Sequence, residues 1–170
     1  ISPEFGWNSH RVTIEDCTAQ SEYFMMRGTE LHFRNVTFHG KYSFQYIENS
    51  LFEHCSFDTK DAFWHAKNVV VRNCTVAWYC ENVTFDHCTI IGTQPLCYCK
   101  GLKLIDCQMV DCDLAFEHSE VWATVSTPVA SIKNPLAGSH ITVPEVRTII
   151  RDPEATGEIV VTDKSQTVCA

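Results

Sequence analysis

One short phrase returns along the chain at a nearly constant interval: VTIEDC, LHFRNV, SLFEHC, VVVRNC, VTFDHC and LKLIDC. The phrases end on Cys17, Val36, Cys55, Cys74, Cys88 and Cys107, so the steps are 19, 19, 19, 14 and 19 residues, and a further step reaches Ser126. A unit of about twenty residues is too small to enclose a core of its own and gains stability only by stacking on its neighbours. The chain therefore reads as a solenoid.

Residues five and three before each anchor are mostly apolar, as in Val12/Ile14, Leu31/Phe33, Val69/Val71, Val83/Phe85 and Leu102/Leu104. That two-residue period belongs to strands with one buried face. The anchors, and the residues two beyond them (Phe38, Phe57, Val76, Ile90, Met109), continue the inward row. Immediately before the anchors stand Asp16, Asn35, His54, Asn73, His87 and Asp106, short polar side chains suited to a bend between two strands.

Two before the anchor the sequence reads Glu15, Arg34, Glu53, Arg72 and Asp86, with the sign alternating at every step. Coils stacked in register at about 4.8 Å would set each charge between two of opposite sign. Helical repeats would need roughly 34 residues and a 3.6-residue apolar period, and neither is present. The expected fold is all-β: a right-handed, single-stranded parallel β-helix, with coils over residues 1–128 and capping strands and a tail over 129–170. Short strand-like runs at His140–Val143, 148–150 and 158–162 lie in that second part. The 14-residue step falls five short of the others between Val76 and Ala77, where a loop is expected to be missing.

With ten cysteines, five of them in the anchor column, the thiols read as small core hydrophobes. Free thiols imply a reducing compartment, hence a cytoplasmic location. No metal or cofactor site is expected, because the Cys97-Tyr98-Cys99 pair falls into the inward register. A net charge of −8 argues against nucleic acid, whose phosphates require clustered Lys and Arg. No apolar run approaches the roughly 18 residues of a membrane span, and the opening residues do not read as a secretory leader. The repeat begins almost at residue 1. The first coil is therefore expected to be covered by a second copy of the chain, giving a homo-oligomer, or by additional N-terminal coils.

A second segment precedes each phrase: FGWNS, FMMRG, FQYIE, FWHAK, AWYCE, LCYCK and AFEHS. Read as a strand, it turns Trp7, Met26, Gln45, Trp64, Trp78, Cys97 and Phe116 inward. By alternation it turns Asn8, Arg27, Tyr46, His65, Tyr79, Tyr98 and Glu117 outward, together with Phe44, Phe63 and Leu96. Phe44, Tyr46, Phe63, His65, Tyr79 and Tyr98 would then form an aromatic strip able to stack on sugar rings, or to be covered by another subunit. For glycoside chemistry two carboxylates are needed at set separations. Asp61 and Asp113 lie three coils apart, too far at about 4.8 Å per coil, which leaves Asp111, Asp113 and Glu117 as catalytic candidates. Whether the chain is an enzyme stays open at this point.

The segments DAFWHAKNVVVRNC, ENVTFDHCTIIGTQPLCYC, DCDLAFEHS and SIKNP resemble a bacterial family known as domain of unknown function 3737. The resemblance covers nearly the whole chain. It implies a pectin-lyase-like β-helix with further N-terminal coils and a few extra residues between Val76 and Ala77. The polysaccharide-active motifs of that wider fold, such as an Asn-Thr-Asp segment or a Gly-His-Gly turn, do not occur here, so no catalytic residue can be carried over. The functional expectation is a carbohydrate-binding or carbohydrate-processing solenoid; the alternative is a non-enzymatic assembly scaffold.

Overall fold

The computed structural model describes residues 2–59, 62–76 and 80–163. The shortened step at Val76–Ala77, and with it Asp61, Trp78 and Tyr79, lies outside the described residues. Among those described, every regular element is a strand, and the strands pair in parallel in a stacked coil. Strand Thr13–Phe24 pairs with His32–Ser43 in a 19-residue register, Glu15 on Arg34 and Cys17 on Val36. The register continues through Phe33 on Phe52, Phe52 on Val71, Val71 on Phe85 and Phe85 on Leu104. Strands Val121–Val125, His140–Val143 and Glu158–Val161 extend the same sheet, while Val129–Lys133 and Val146–Ile150 form a second, two-stranded one.

The charge ladder is physical. Arg34 reaches Glu15 at 2.9 Å, and Arg72 bridges Glu53 at 3.6 Å and Asp86 at 3.3 Å. A second alternating column, not recognised in the sequence, runs through Glu48, Lys67, Glu81 and Lys100, paired one above the next, with Lys67 and Glu81 at 3.7 Å.

Each coil is closed by residues with left-handed backbone. The column before the anchors, Asp16, Asn35, His54, Asn73, His87 and Asp106, has φ of 45–55° throughout. It is composed only of the three residue types that tolerate this region best. Leaving such a corner, the chain carries a donor that turns back onto the carbonyl two residues earlier: Cys55 Sγ onto Glu53 O, Cys74 Sγ onto Arg72 O, Cys112 Sγ onto Val110 O. Serine does the same after Asn49 and His118, through Ser50 to Glu48 O and Ser119 to Glu117 O. Cysteine in this column is thus both core filler and corner donor. Cys17, in the first described coil, is exposed rather than buried.

The anchor phrase needs one amendment: Cys107 pairs with buried Val125, not with exposed Ser126, because the register shifts between Leu104 and Cys107.

The segment FQYIE and its equivalents are turns, not strands, and this reverses the expected orientation. Met25, Phe44, Phe63, Leu96 and Phe116 have φ of 55–65° and point into the core, Phe44 and Phe63 at 0% and 1% exposure. Their rings stack at 5.3 Å within a cluster that includes Phe33, Phe52 and Phe57. A left-handed L-residue costs roughly 1–2 kcal/mol, whereas burying a Phe side chain contributes about 1.5–3 kcal/mol, so burial prevails. Two predictions follow from this architecture. Phe44→Ala should lower the unfolding free energy by about 3–5 kcal/mol, while Tyr46→Ala, two residues away on the outside, should change it by about 0.5 kcal/mol or less, both read by denaturant titration. Arg72→Glu, which places like charge between Glu53 and Asp86, should cost about 1–2 kcal/mol, and molar salt should recover part of the loss.

Candidate functional site

The turn that buries Phe44 and Phe63 presents the residues two further on to solvent. Asn8, Arg27, Tyr46, His65, Tyr98 and His118 share φ of 50–56° and form one outward column. The column ends on His118, not on Glu117 as a constant step would have it. The coil from Tyr98 to His118 holds one extra residue. Phe44 N donates to Phe24 O and Phe63 N to Ser43 O, 20 residues back, but Phe116 N donates to Pro95 O, 21 back. The extra residue moves Phe116 into the buried column of Phe44 and Leu96, and brings the His118 ring against Tyr98, with centroids 5.4 Å apart.

Of the six residues expected to form an aromatic strip, Tyr46, His65 and Tyr98 face solvent, the last at 53% exposure. Phe44 and Phe63 are excluded from it by burial in the core, and Tyr79 lies outside the described residues. Trp64 joins the strip instead of facing inward, because a turn with alternating left-handed residues does not obey strand alternation. Tyr46 stacks on His65 at 5.0 Å, and Trp64 lies 6.1 Å from Tyr46 and 5.0 Å from His65. Trp7, also expected inside, is exposed and packs edge-on to Tyr23, itself stacked on Tyr42 at 5.0 Å. The sequence did carry a signal for this arrangement: Met25, Phe44, Phe63, Leu96 and Phe116 make an unbroken apolar column, and such a column belongs inside.

Glu117 is 8% exposed. Its carboxylate accepts hydrogen bonds from Lys133 Nζ at 2.8 Å and Gln94 Nε2 at 3.2 Å, with His118 Nε2 at 3.9 Å. Its charge is answered by Lys133, which makes it a structural ion-pair partner more readily than a proton donor to a substrate. The same hydrogen bond, followed by the charge of Glu117, holds Lys133 above the ordinary lysine value of 10.5. Asp111 is exposed at a left-handed corner, φ 52°. Asp113 is half-buried, with Oδ1 enclosed and without a hydrogen-bond partner, and its backbone carbonyl accepts from Gln94 N at 2.8 Å. Gln94 therefore links Asp113 to Glu117. Between the two aspartates, burial first and then their charges push the Cys112 thiol up to about 12, which removes it as a nucleophile.

Beyond His118 the surface opens into a cavity of about 300 Å³ lined by His118, Leu136, Asp152, Pro153, Glu154 and Ala155. Asp152 is fixed reciprocally by buried Asn134: Asn134 Nδ2 donates to Asp152 Oδ2 at 2.6 Å, and Asp152 N donates to Asn134 Oδ1 at 2.8 Å. Arg151 secures the loop by donating to Ala155 O and Gly157 O. Sequence reasoning did not reach His118, Lys133 or Asp152, because the extra residue and the change of repeat after the last anchor conceal their alignment. Among the described residues, no three His, Cys, Asp or Glu side chains converge as a metal site would require.

Lys133→Met should destabilise the fold by leaving the Glu117 carboxylate buried without its cation, and the double variant Glu117→Gln/Lys133→Met should recover most of the loss. Because the Lys133 value is raised on folding, its contribution is complete below pH 10.5 and is lost as pH rises through the elevated value. The stability gap between wild type and Lys133→Met should be flat at neutral pH and close in strong alkali, measured by thermal unfolding.

The model of the family described as "Protein of unknown function (DUF3737)" matches residues 1–162. No curated protein and no solved structure matches the chain.

Proposed function

The chain belongs to the DUF3737 family, whose description assigns no activity, and we propose from its surface that it is a glycan-binding solenoid. The observation that carries this reading is the outward turn column, where Tyr46, Trp64 and His65 form one mutually packed ring cluster and Tyr98 with His118 another. The ring surface that this packing leaves exposed can contact the C–H faces of sugars, and the Tyr hydroxyl, indole N–H and imidazole can hydrogen-bond ring hydroxyls. Coil stacking sets equivalent side chains about 4.8 Å apart, a linear array suited to an extended polymer. The cavity beyond His118, with Asp152 and Glu154 on its wall, supplies acceptors for hydroxyl groups at one end of that array.

The net charge of −8 favours neutral or amino glycans over polyanionic ones such as polygalacturonate. Catalysis is not part of this reading, since Glu117 is tied to Lys133 and Asp111 stands exposed at a corner.

Affinity electrophoresis and calorimetry against soluble xyloglucan, mannan, mixed-linkage glucan, chitosan oligomers and polygalacturonate test it. A neutral or amino glycan should be retained, and Trp64→Ala or Tyr98→Ala should each weaken binding about tenfold, roughly 1.4 kcal/mol. Failure to bind any of the five, or binding unchanged in the double variant, would overturn the proposal.

A further inference from the structure

The cavity beyond His118 holds more charge than hydroxyl groups call for. At about 300 Å³ it lies at the lower end of ligand-pocket sizes, suited to one sugar ring and not to a length of chain. Leu136, Pro153 and Ala155 give it apolar walls, while Asp152 and Glu154 give it negative charge. Its place is set by stacking: His118 N donates to Asn134 O at 3.0 Å, and Asn134 N to Ile150 O at 2.8 Å. The cavity wall therefore belongs to the two coils that follow the Tyr98–His118 ring pair.

Asp152 is held in one orientation. Asn134, at 1% exposure, donates to its Oδ2 and accepts from its backbone N–H, which leaves Oδ1 without a hydrogen bond among the described residues. Arg151 pins the same loop through Ala155 O at 2.6 Å and Gly157 O at 2.7 Å. A wall fixed in this way needs little ordering when a ligand arrives.

The local charges do not balance. Glu117, Asp152 and Glu154 gather here with two permanent cations, Lys133 and Arg151. Lys133 feels the charge of Asp152 but is bonded to Glu117 at 2.8 Å, and Arg151 is bonded to backbone carbonyls. Asp152 and Glu154 thus face the cavity without an ion-pair partner among the described residues, and one positive charge would make the set neutral. A metal held by protein carboxylates alone is removed, since no three His, Cys, Asp or Glu side chains converge among the described residues. An ammonium group has three donors and can make charge-assisted hydrogen bonds to both carboxylates at once.

We propose that the cavity is a subsite for the ammonium group of a glucosamine-type sugar. Asp152 and Glu154 hold the amine, the apolar walls take the ring, and the neighbouring sugars extend over Tyr98. The inference rests on the glycan-binding reading and narrows it to amino glycans that are not N-acetylated.

The test is calorimetry of the full chain with the trimers of glucosamine and of N-acetylglucosamine, which differ only at the amine. Wild type should bind the glucosamine trimer at least about tenfold more tightly. Glu154→Gln, at an exposed position, should abolish most of that preference and leave affinity for the acetylated trimer as it was. Asp152→Asn should do the same, with its thermal midpoint reporting on the Asn134 contact. Glu4→Gln removes the same charge from the first coil and should change neither affinity, which separates the subsite from general attraction of a polyamine to an acidic chain. Trilysine, which carries amines without a sugar ring, should not displace the glucosamine trimer. Equal affinity for the two trimers, a preference that persists in Glu154→Gln, an equal loss in Glu4→Gln, or displacement by trilysine would each overturn the subsite while leaving the glycan reading in place. Failure to bind either trimer or any of the five polymers would overturn both.

Discussion

A coil of parallel strands has to reverse direction within a few residues, several times per turn, without leaving buried carbonyls unanswered. Here both needs are met at one place. A left-handed residue breaks the strand, and the side chain that follows donates its S–H or O–H to the carbonyl two residues back. These carbonyls also accept a backbone N–H from the adjoining coil, as Arg72 O does from His54 N and Glu117 O from Tyr98 N, so the side-chain donor is a second partner contributing about 0.5–1.5 kcal/mol, and Val36 follows the left-handed Asn35 without one. The left-handed corner residues and the Cys or Ser side chains that follow several of them, in more than one column, are two faces of this arrangement. Gly101 shows its limit: it stands at φ +62°, and a Cβ there would run into the Asn82 side chain of the coil beneath.

That coupling explains why so much of the fold is legible in the sequence. The anchor, the polar residue before it and the apolar pair upstream recur because each coil solves the same problem, and the alternating charges confirm which coils are neighbours. The first coils follow the repeat to the residue, as Glu15 on Arg34 and Arg34 on Glu53 illustrate. What a strand-based reading does not capture is a corner built of several alternating left-handed residues. Period-two logic assigns Phe44 and Phe63 to solvent and Trp64 to the core. The backbone reverses all three, and only the uniform apolar character of the Phe44 column betrays it.

The candidate surface was legible to the same degree. Tyr46, His65 and Tyr98 were reachable because they share a column, and the column survives the change from strand to turn. Glu117 was misplaced by a single residue, since nothing in the local sequence announces that one coil is longer. Lys133 and Asp152 belong to strands and loops after the anchor phrase has ended, where partners are set by three-dimensional packing alone. Asp111 and Asp113 flank Cys112 in the sequence, but their surroundings, an exposed corner and an enclosed oxygen, depend on neighbouring coils that no local pattern reveals.

The lengthened coil between Tyr98 and His118 has a bearing on how such a molecule diversifies. Inserting one residue into a strand would flip every later side chain to the wrong face. Inserted at a corner, it is absorbed within a few positions, since Leu102 already lies on Val121 in the ordinary register. What changes is confined to the rim, where an imidazole takes the outer post and a carboxylate withdraws to meet Lys133. A solenoid of this design can therefore redraft its margin one letter at a time while its interior continues to be read in the original frame.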